Sequence, residues 1–296
     1  MCFKSETERL HDLIFCTGYL YPKALDHGAL MMSTKIVNIE ALNLRSAPIV
    51  DQSNRLGILH LGQTVTVLNE NQNSEWIQAA TQLNKVKVTG YIKRIINGVF
   101  SLREPVSPQR EALIANAVRQ WIRFDQGQGL EYIHPYSGYI GEMWKSIKMK
   151  LDGNDRDMPW SAAFISFVVR KTSAEMASYS NFNFAPSHSK YLHDSIIKRK
   201  DGDSSVPFWG YRLSEQMPQP GDIIARWRET ERKYDDAAHD HSFKSHCDII
   251  ASVNADFVLA IGGNVNQSVN ITRYEKSGGG YLLPSKQVFM LMVNNV

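Results

Sequence analysis

A chain of 296 residues with 43% hydrophobic and 21% charged residues has the composition of a globular protein of about two domains, which excludes a disordered or low-complexity chain. The formal net charge of +3 is too small for a nucleic-acid-binding surface, and the three cysteines, Cys2, Cys16 and Cys247, are too few and too scattered for a disulfide framework. No stretch approaches the roughly 18 consecutive apolar residues of a membrane span.

Residues 1–32 read as a leader or as a start upstream of the folded part. Lys4 and Arg9 are interspersed with Glu6, Glu8 and Asp12, and the apolar run at 13–15 is too short for a secretory signal. Synthesis in the cytoplasm without a classical signal is therefore expected, with delivery by another route if the target lies at the envelope. Residues 33–102 alternate apolar and polar positions in short runs, at 36–39, 41–44, 55–59, 64–68, 76–79 and 86–92, which predicts a small all-β barrel. Pro105 and Pro108 mark a linker over 103–111.

From 109 to 124 the period changes. Leu113, Ala117, Trp121 and Phe124 fall on one face of a helix. A second helix is predicted over 140–151, broken by Gly153 and Asn154. A third is predicted over 161–171, with Asp157 as its cap and Pro159 in its first turn. Beyond Ala174 the pattern is irregular until the breaker Pro218-Gln219-Pro220-Gly221-Asp222. Strand-like runs follow at 223–227, 247–253, 257–262, 268–273 and 288–293. Helices followed by an antiparallel sheet predict an α+β domain over 112–296.

Acyl transfer by a hydroxyl or thiol needs a nucleophile, a base within hydrogen-bond reach and a group that orients the base. A helix N-terminus adds a positive field and free N–H donors for the oxyanion. Ser161 stands at such a helix start, in Pro159-Trp160-Ser161-Ala162-Ala163-Phe164-Ile165-Ser166. Further along come His246, in His246-Cys247-Asp248, and Asn264, after Gly262 and Gly263. Nucleophile, histidine, then polar residue is a workable order. The plain alternatives stand beside it: serine is common in helix first turns, a strand-edge histidine needs no role, and Asn after two glycines is a turn signature. Cys247 follows His246 directly, so on a regular strand it faces away and reads as a buried thiol. His239 and His241 beside His246 have chelating spacing, but the acidic stretch 235–240 reads as a solvated loop, and no metal is expected.

These motifs carry resemblances. Leu42-Asn43-Leu44-Arg45-Ser46-Ala47-Pro48, Leu61-Gly62-Gln63, Trp76 and Gly90-Tyr91-Ile92 resemble the bacterial SH3-like domain, which implies a cell-wall-binding or docking module. The helix-start segment, Pro220-Gly221-Asp222, His246-Cys247-Asp248 and Gly262-Gly263-Asn264 resemble the papain-like NlpC/P60 and CHAP hydrolases, with Ser161 where those enzymes carry cysteine. Taken with His188 and Tyr191, the wording is similar to the DUF2272 family. The resemblance implies an SH3-like barrel followed by a papain-like domain of helices packed on an antiparallel sheet. It implies a peptidoglycan amidase or endopeptidase with Ser161 as nucleophile, His246 as base and Asn264 as its orienter. Trp160, His188, Tyr191 and Asp222 are then candidate binding residues. The scheme needs no cofactor. Its expected partner is peptidoglycan or cell-wall peptide, with an immunity or delivery protein as a further one, and neither nucleic acid nor a membrane span is expected. The competing expectation is an inactive protein that keeps the papain-like groove and binds peptidoglycan or peptide without cutting it. A hydroxyl is far less acidic than a thiol, so Ser161 needs a true general base.

Overall fold

Alternation along the first strands puts every second side chain on one face, where Val37, Leu42, Leu44, Leu59, Val65, Val67, Ile77, Ala79 and Ile92 make an apolar cluster. The strands are β1 (Ser33–Val37), β2 (Ala41–Arg45), β3 (Arg55–His60), β4 (Thr64–Asn69), β5 (Trp76–Leu83) and β6 (Val86–Lys93), then a short hairpin, β7 (Ile95–Ile96) and β8 (Val99–Phe100), and β9 (Leu102–Arg103). Apart from the hairpin they form a seven-stranded antiparallel sheet in the order β3-β2-β6-β5-β4-β1-β9. The computed structural model describes residues 32–296 except Glu70 and Gln72, so the expected leader lies, Met32 apart, outside the described residues.

The second half is mixed α/β. It comprises α1 (Pro108–Arg123), α2 (Tyr136–Ser146), α3 (Ser161–Glu175), α4 (His188–Lys200), β10 (Phe208–Tyr211), β11 (Ile223–Trp227), α5 (Tyr234–His239), β12 (Ser245–Val253), β13 (Phe257–Val265), β14 (Ser268–Glu275) and β15 (Val288–Asn294). The six strands form one antiparallel sheet in the order β10-β15-β11-β12-β13-β14. Helices cover one face, where Ile223, Ala225, Cys247, Ile249 and Ile261 meet the apolar sides of α1, α3 and α4. Ile224, Ile250, Val258, Ala260, Tyr274 and Leu282 form a smaller cluster on the other face. Among the described residues, no helix is long and apolar enough to cross a membrane.

Three local expectations are corrected. The stretch after Ala174 holds α4 and β10. The buried positions of α4 are His188, Ser189, Tyr191, Leu192, Ser195 and Ile196, so its inward stripe is half polar and escapes an apolar-periodicity reading. The acidic stretch taken for a loop is the short helix α5, pinned by buried Ala237 and by Asp236 accepting from the Lys233 N–H at 2.8 Å. Helix α3 starts at Ser161 behind Trp160 with no capping side chain, so exposed Asp157 does not cap it and Pro159 lies before its first turn.

Two tethers hold these layers. Buried Arg110, from α1, donates to Asp222 Oδ1 at 3.0 Å and to the Pro220 carbonyl at 2.8 Å. Asp222 also accepts from the backbone N–H groups of Asn294, at 2.9 Å, and Gln219, at 2.8 Å. The first helix, the entry to β11 and the end of β15 thus meet at one carboxylate. The second tether joins the two sheets. Ser252 Oγ lies 2.8 Å from the Asn38 carbonyl, Asn38 Nδ2 donates to Asn254 Oδ1 at 2.9 Å, and Leu61 is buried in the helical core with Ile114 and Val118. Residues 32–296 are accordingly one compact unit, in which the first sheet is docked on the second half.

Candidate functional site

Helix α3 enters the core with nearly every first-turn side chain buried, so its start is fixed by packing rather than by a cap. Trp160 stacks on Phe124 with ring centroids 5.8 Å apart and donates its indole N–H to Glu131 at 2.7 Å. A Cβ on Gly263 would lie 2.4 Å from Phe164 Cβ and 2.7 Å from the Trp160 ring, so only glycine lets β13 approach this closely. Trp160 is 2% exposed and belongs to the core rather than to a ligand surface, which corrects its expected binding role.

The arrangement leaves Ser161 at the foot of a cleft of about 350 Å³, whose walls include Trp144, Pro159, Ser187, His188, Arg228 and Ser245. Ser161 Oγ lies 2.7 Å from His188 Nε2. His188 is the first residue of α4, and the chain reaches it under control of the α3 motif: Ser166 Oγ donates to the Ala185 carbonyl at 2.9 Å and accepts from the Ala185 N–H at 3.2 Å. The other ring nitrogen, Nδ1, hydrogen-bonds Tyr191 Oη, which also meets the Cys247 thiol. For Nε2 to accept the serine proton, Nδ1 must carry the ring hydrogen, and Tyr191 is placed to hold that tautomer. Burial drives His188 well below its ordinary 6.5, and the nearby charges of Arg228 and Arg226 add to this, so the imidazole is neutral. Burial also raises the Tyr191 phenol and the Cys247 thiol well above their usual values, leaving both protonated.

His246 does not reach Ser161. Its Nδ1 accepts from Arg228 Nη2 at 3.1 Å, because a guanidinium can only donate, so Nε2 carries the hydrogen and donates it to Asp248 Oδ1 at 2.8 Å. Asp248 also accepts from Tyr274 Oη. Burial by itself would raise the Asp248 carboxyl, but the hydrogen bond from His246, with Arg226 and the Tyr274 hydroxyl, holds it below 3.8. The His246 and His188 rings are 5.6 Å apart, centroid to centroid, so the two units are neighbours. Cys247, between His246 and Asp248, points to the helical face, as strand alternation requires.

The expected roles therefore divide. The structure brings Ser161 together with His188 and Tyr191, not with His246. The orienter of His246 is Asp248, not Asn264. Asn264 has a left-handed φ of 57° beside a register shift between Gly262 and Val265, so its contribution is to the backbone of β13. Gly262 makes room for the pair: a Cβ there would lie 1.7 Å from Asp248 Oδ1 and 3.1 Å from His246 Nε2. Asp222 is buried in the Arg110 tether and is not among the cleft walls, which corrects its expected binding role. Arg228 and Asp248, which engage the two nitrogens of His246, carry no assigned role in the sequence analysis. The His-x-Asp spacing of His246 and Asp248 was the available signal, since residues two apart on a strand share a face.

Helices packed against an antiparallel sheet thus set a buried neutral imidazole within hydrogen-bond reach of a helix-start hydroxyl, where it can accept the serine proton. The family described as "Uncharacterized protein conserved in bacteria (DUF2272)" matches residues 129–290, more than half the chain, and the chain belongs to it. Among solved structures, the chain aligns with NlpC2 from Trichomonas vaginalis at 12% identity and a TM-score of 0.28, covering 87% of this chain and 71% of that one. It aligns with NlpC1 from the same organism at 11% identity and a TM-score of 0.25, covering 84% and 68%. No curated protein matched in sequence.

Proposed function

We propose that this protein is a serine-dependent amide hydrolase acting on cell-wall peptide, with its first sheet serving as an SH3-like docking module. The observation that carries the reading is the 2.7 Å contact between Ser161 Oγ and His188 Nε2 at the mouth of α3. Ser161 attacks the scissile carbonyl while His188 Nε2 takes its proton. The oxyanion forms against the uncapped first-turn N–H groups of α3. His188 then returns the proton to the leaving amine, and water repeats the cycle on the acyl-serine. Tyr191 is a positioning residue, because it holds the imidazole tautomer and touches no reacting atom. The choice of cell-wall peptide rests on the motif resemblance.

A second reading, a peptide-binding protein without turnover, is favoured by one feature. Both nitrogens of His246, the histidine aligned with the papain-like base, are already engaged. Incubation with peptidoglycan sacculi separates the two. Release of soluble muropeptides by the wild type, absent in Ser161→Ala, is expected for the hydrolase, with a loss of at least about 10³-fold for a deleted nucleophile. Sacculi that the wild type binds but leaves uncut establish the binder.

A further inference from the structure

A groove of about 880 Å³ adjoins the Ser161 cleft at one end of the second sheet. Strand order explains the placement. The order β10-β15-β11-β12 sets the end of β10, the start of β15 and the end of β11 side by side, and there stand Arg212, Phe289 and Trp227 of the groove. The end of β11 and the start of β12 carry Arg228 and Ser245 of the cleft. The two cavities thus meet at β11, and Phe289 of the groove packs edge to face on Phe243 of the cleft, ring centroids 6.1 Å apart. The scheme proposed for Ser161 and His188 uses none of the residues of the groove.

Trp227, Tyr234 and Tyr281 are part-exposed in the groove. Tyr234 is fixed: its hydroxyl donates to the Gly210 carbonyl at 3.1 Å, and the Arg212 guanidinium lies 4.4 Å from its ring centroid. The Trp227 indole N–H and the Tyr281 hydroxyl, by contrast, make no hydrogen bond among the described residues, and neither is sealed from solvent. The charges balance. Arg212 and Lys233 are opposed by Glu231 and Asp235, and Arg212 is closed on Asp235 in an ion pair. No surplus of either sign is left to hold an anion or a cation. Because the groove crosses strand ends, it presents no strand edge for main-chain pairing with a peptide. These walls suit a neutral ligand with apolar faces and a rim of hydroxyls. A pyranose has that form: its C–H groups lie on an aromatic face, and its hydroxyls accept from an indole N–H and exchange hydrogen bonds with a phenol. The volume falls within the range of about 300–1,000 Å³ of small-molecule sites. We infer that the groove is a subsite for a neutral glycan, contacted by Trp227 and Tyr281, and that the substrate is a peptide still joined to its sugars, with the peptide in the cleft and the glycan in the groove. The peptide half of this statement rests on the hydrolase reading of Ser161, but the test of the groove does not use turnover.

The test is calorimetric titration of the full chain with chitotriose, a neutral trisaccharide of N-acetylglucosamine. Saturable binding is expected. Tyr281→Ala should weaken it about tenfold, as the loss of one covered ring gives. Trp227→Phe keeps an aromatic ring against the helical core and removes only the indole N–H, so it should weaken binding about threefold, the worth of one neutral hydrogen bond, and it keeps the question answerable if Tyr281→Ala does not fold. N-acetyl-alanyl-alanine amide, added in excess, should leave the sugar in place. No binding of chitotriose at millimolar concentration, unchanged affinity in both variants, or displacement of the sugar by the peptide overturns the subsite. Wild type that cuts sacculi but does not bind chitotriose keeps the hydrolase and loses the subsite. Chitotriose binding with the expected losses, in a protein that leaves sacculi uncut, keeps the subsite and removes the hydrolase.

Discussion

As the base of the proposed mechanism, His188 is unusual, because its environment keeps it neutral at the cost of basicity. Burial and the neighbouring cations oppose the imidazolium that must form when Ser161 gives up its proton, so a slow hydrolase is expected rather than a fast one. The depressed value also sets the pH behaviour. The folded pKa lies below the unfolded value of about 6.5. Stability from this group is therefore present above pH 6.5 and is lost as pH falls, because the unfolded chain takes a proton that the folded one refuses. Two outcomes follow. The acid limb of kcat/KM, which reports the free enzyme's base, should lie well below pH 6.5. Urea unfolding should show wild type losing stability relative to His188→Gln between pH 7.5 and the acid side of 6.5, and parallel curves for the two proteins would mean that His188 titrates normally and is not sealed in. The sequence made Ser161 visible through its helix-start motif, and made His188 and Tyr191 visible as a pair three residues apart. It could not decide which of two histidines reaches the serine. Motif order ranks residues along the chain, whereas the choice depends on where α4 lands against α3, and α4 itself was hidden by its half-polar stripe.

At the level of elements, strands were legible because alternation and β-branched residues mark them, and α1 was legible because Leu113, Ala117 and Trp121 repeat at helical spacing. Residues whose role is to join elements were not. Asp222 follows a Pro-Gly turn and reads as a site residue, yet its carboxylate joins α1, β11 and β15, and burial raises its pKa to about 6 against the pull of Arg110. Removing it strands the Arg110 guanidinium and two backbone N–H groups in the interior. Asp222→Ala should therefore destabilise the fold by about 3–5 kcal/mol, the cost of breaking a buried pair from one side. Equilibrium urea denaturation measures this. At temperatures where the variant remains folded, its affinity for cell-wall peptide should be unchanged, because Asp222 is not a cleft wall. A variant that keeps full stability but loses binding would return Asp222 to the site.

For the whole molecule, the question is how independent the two sheets are. The sequence suggested a separable first module, since residues 103–111 carry two prolines and little apolar pattern. The seam between the halves is made of single residues that no pattern displays: Leu61 at a turn, inserted beside Ile114 and Val118, and Asn38, which meets Ser252 and Asn254. Deleting residues 1–104 takes away the burial of one leucine, about 2 kcal/mol, two or three interior hydrogen bonds at about 1 kcal/mol each, and the Arg103–Glu111 ion pair to α1, about 1 kcal/mol. The loss of about 5–6 kcal/mol is less than the upper range of a domain's stability, about 5–15 kcal/mol, and the remaining half keeps both faces of its own sheet covered. The 105–296 fragment is therefore expected to fold, with a native-like near-ultraviolet spectrum, a lower urea midpoint than the full chain and weaker adhesion to sacculi. Leu61→Ala in the full chain isolates the seam and should cost about 2–5 kcal/mol, as a buried leucine truncation does. A fragment without a cooperative transition, together with a large Leu61→Ala loss, would make the two sheets one folding unit. The first sheet would then be a structural part of the site's scaffold rather than an appended docking module.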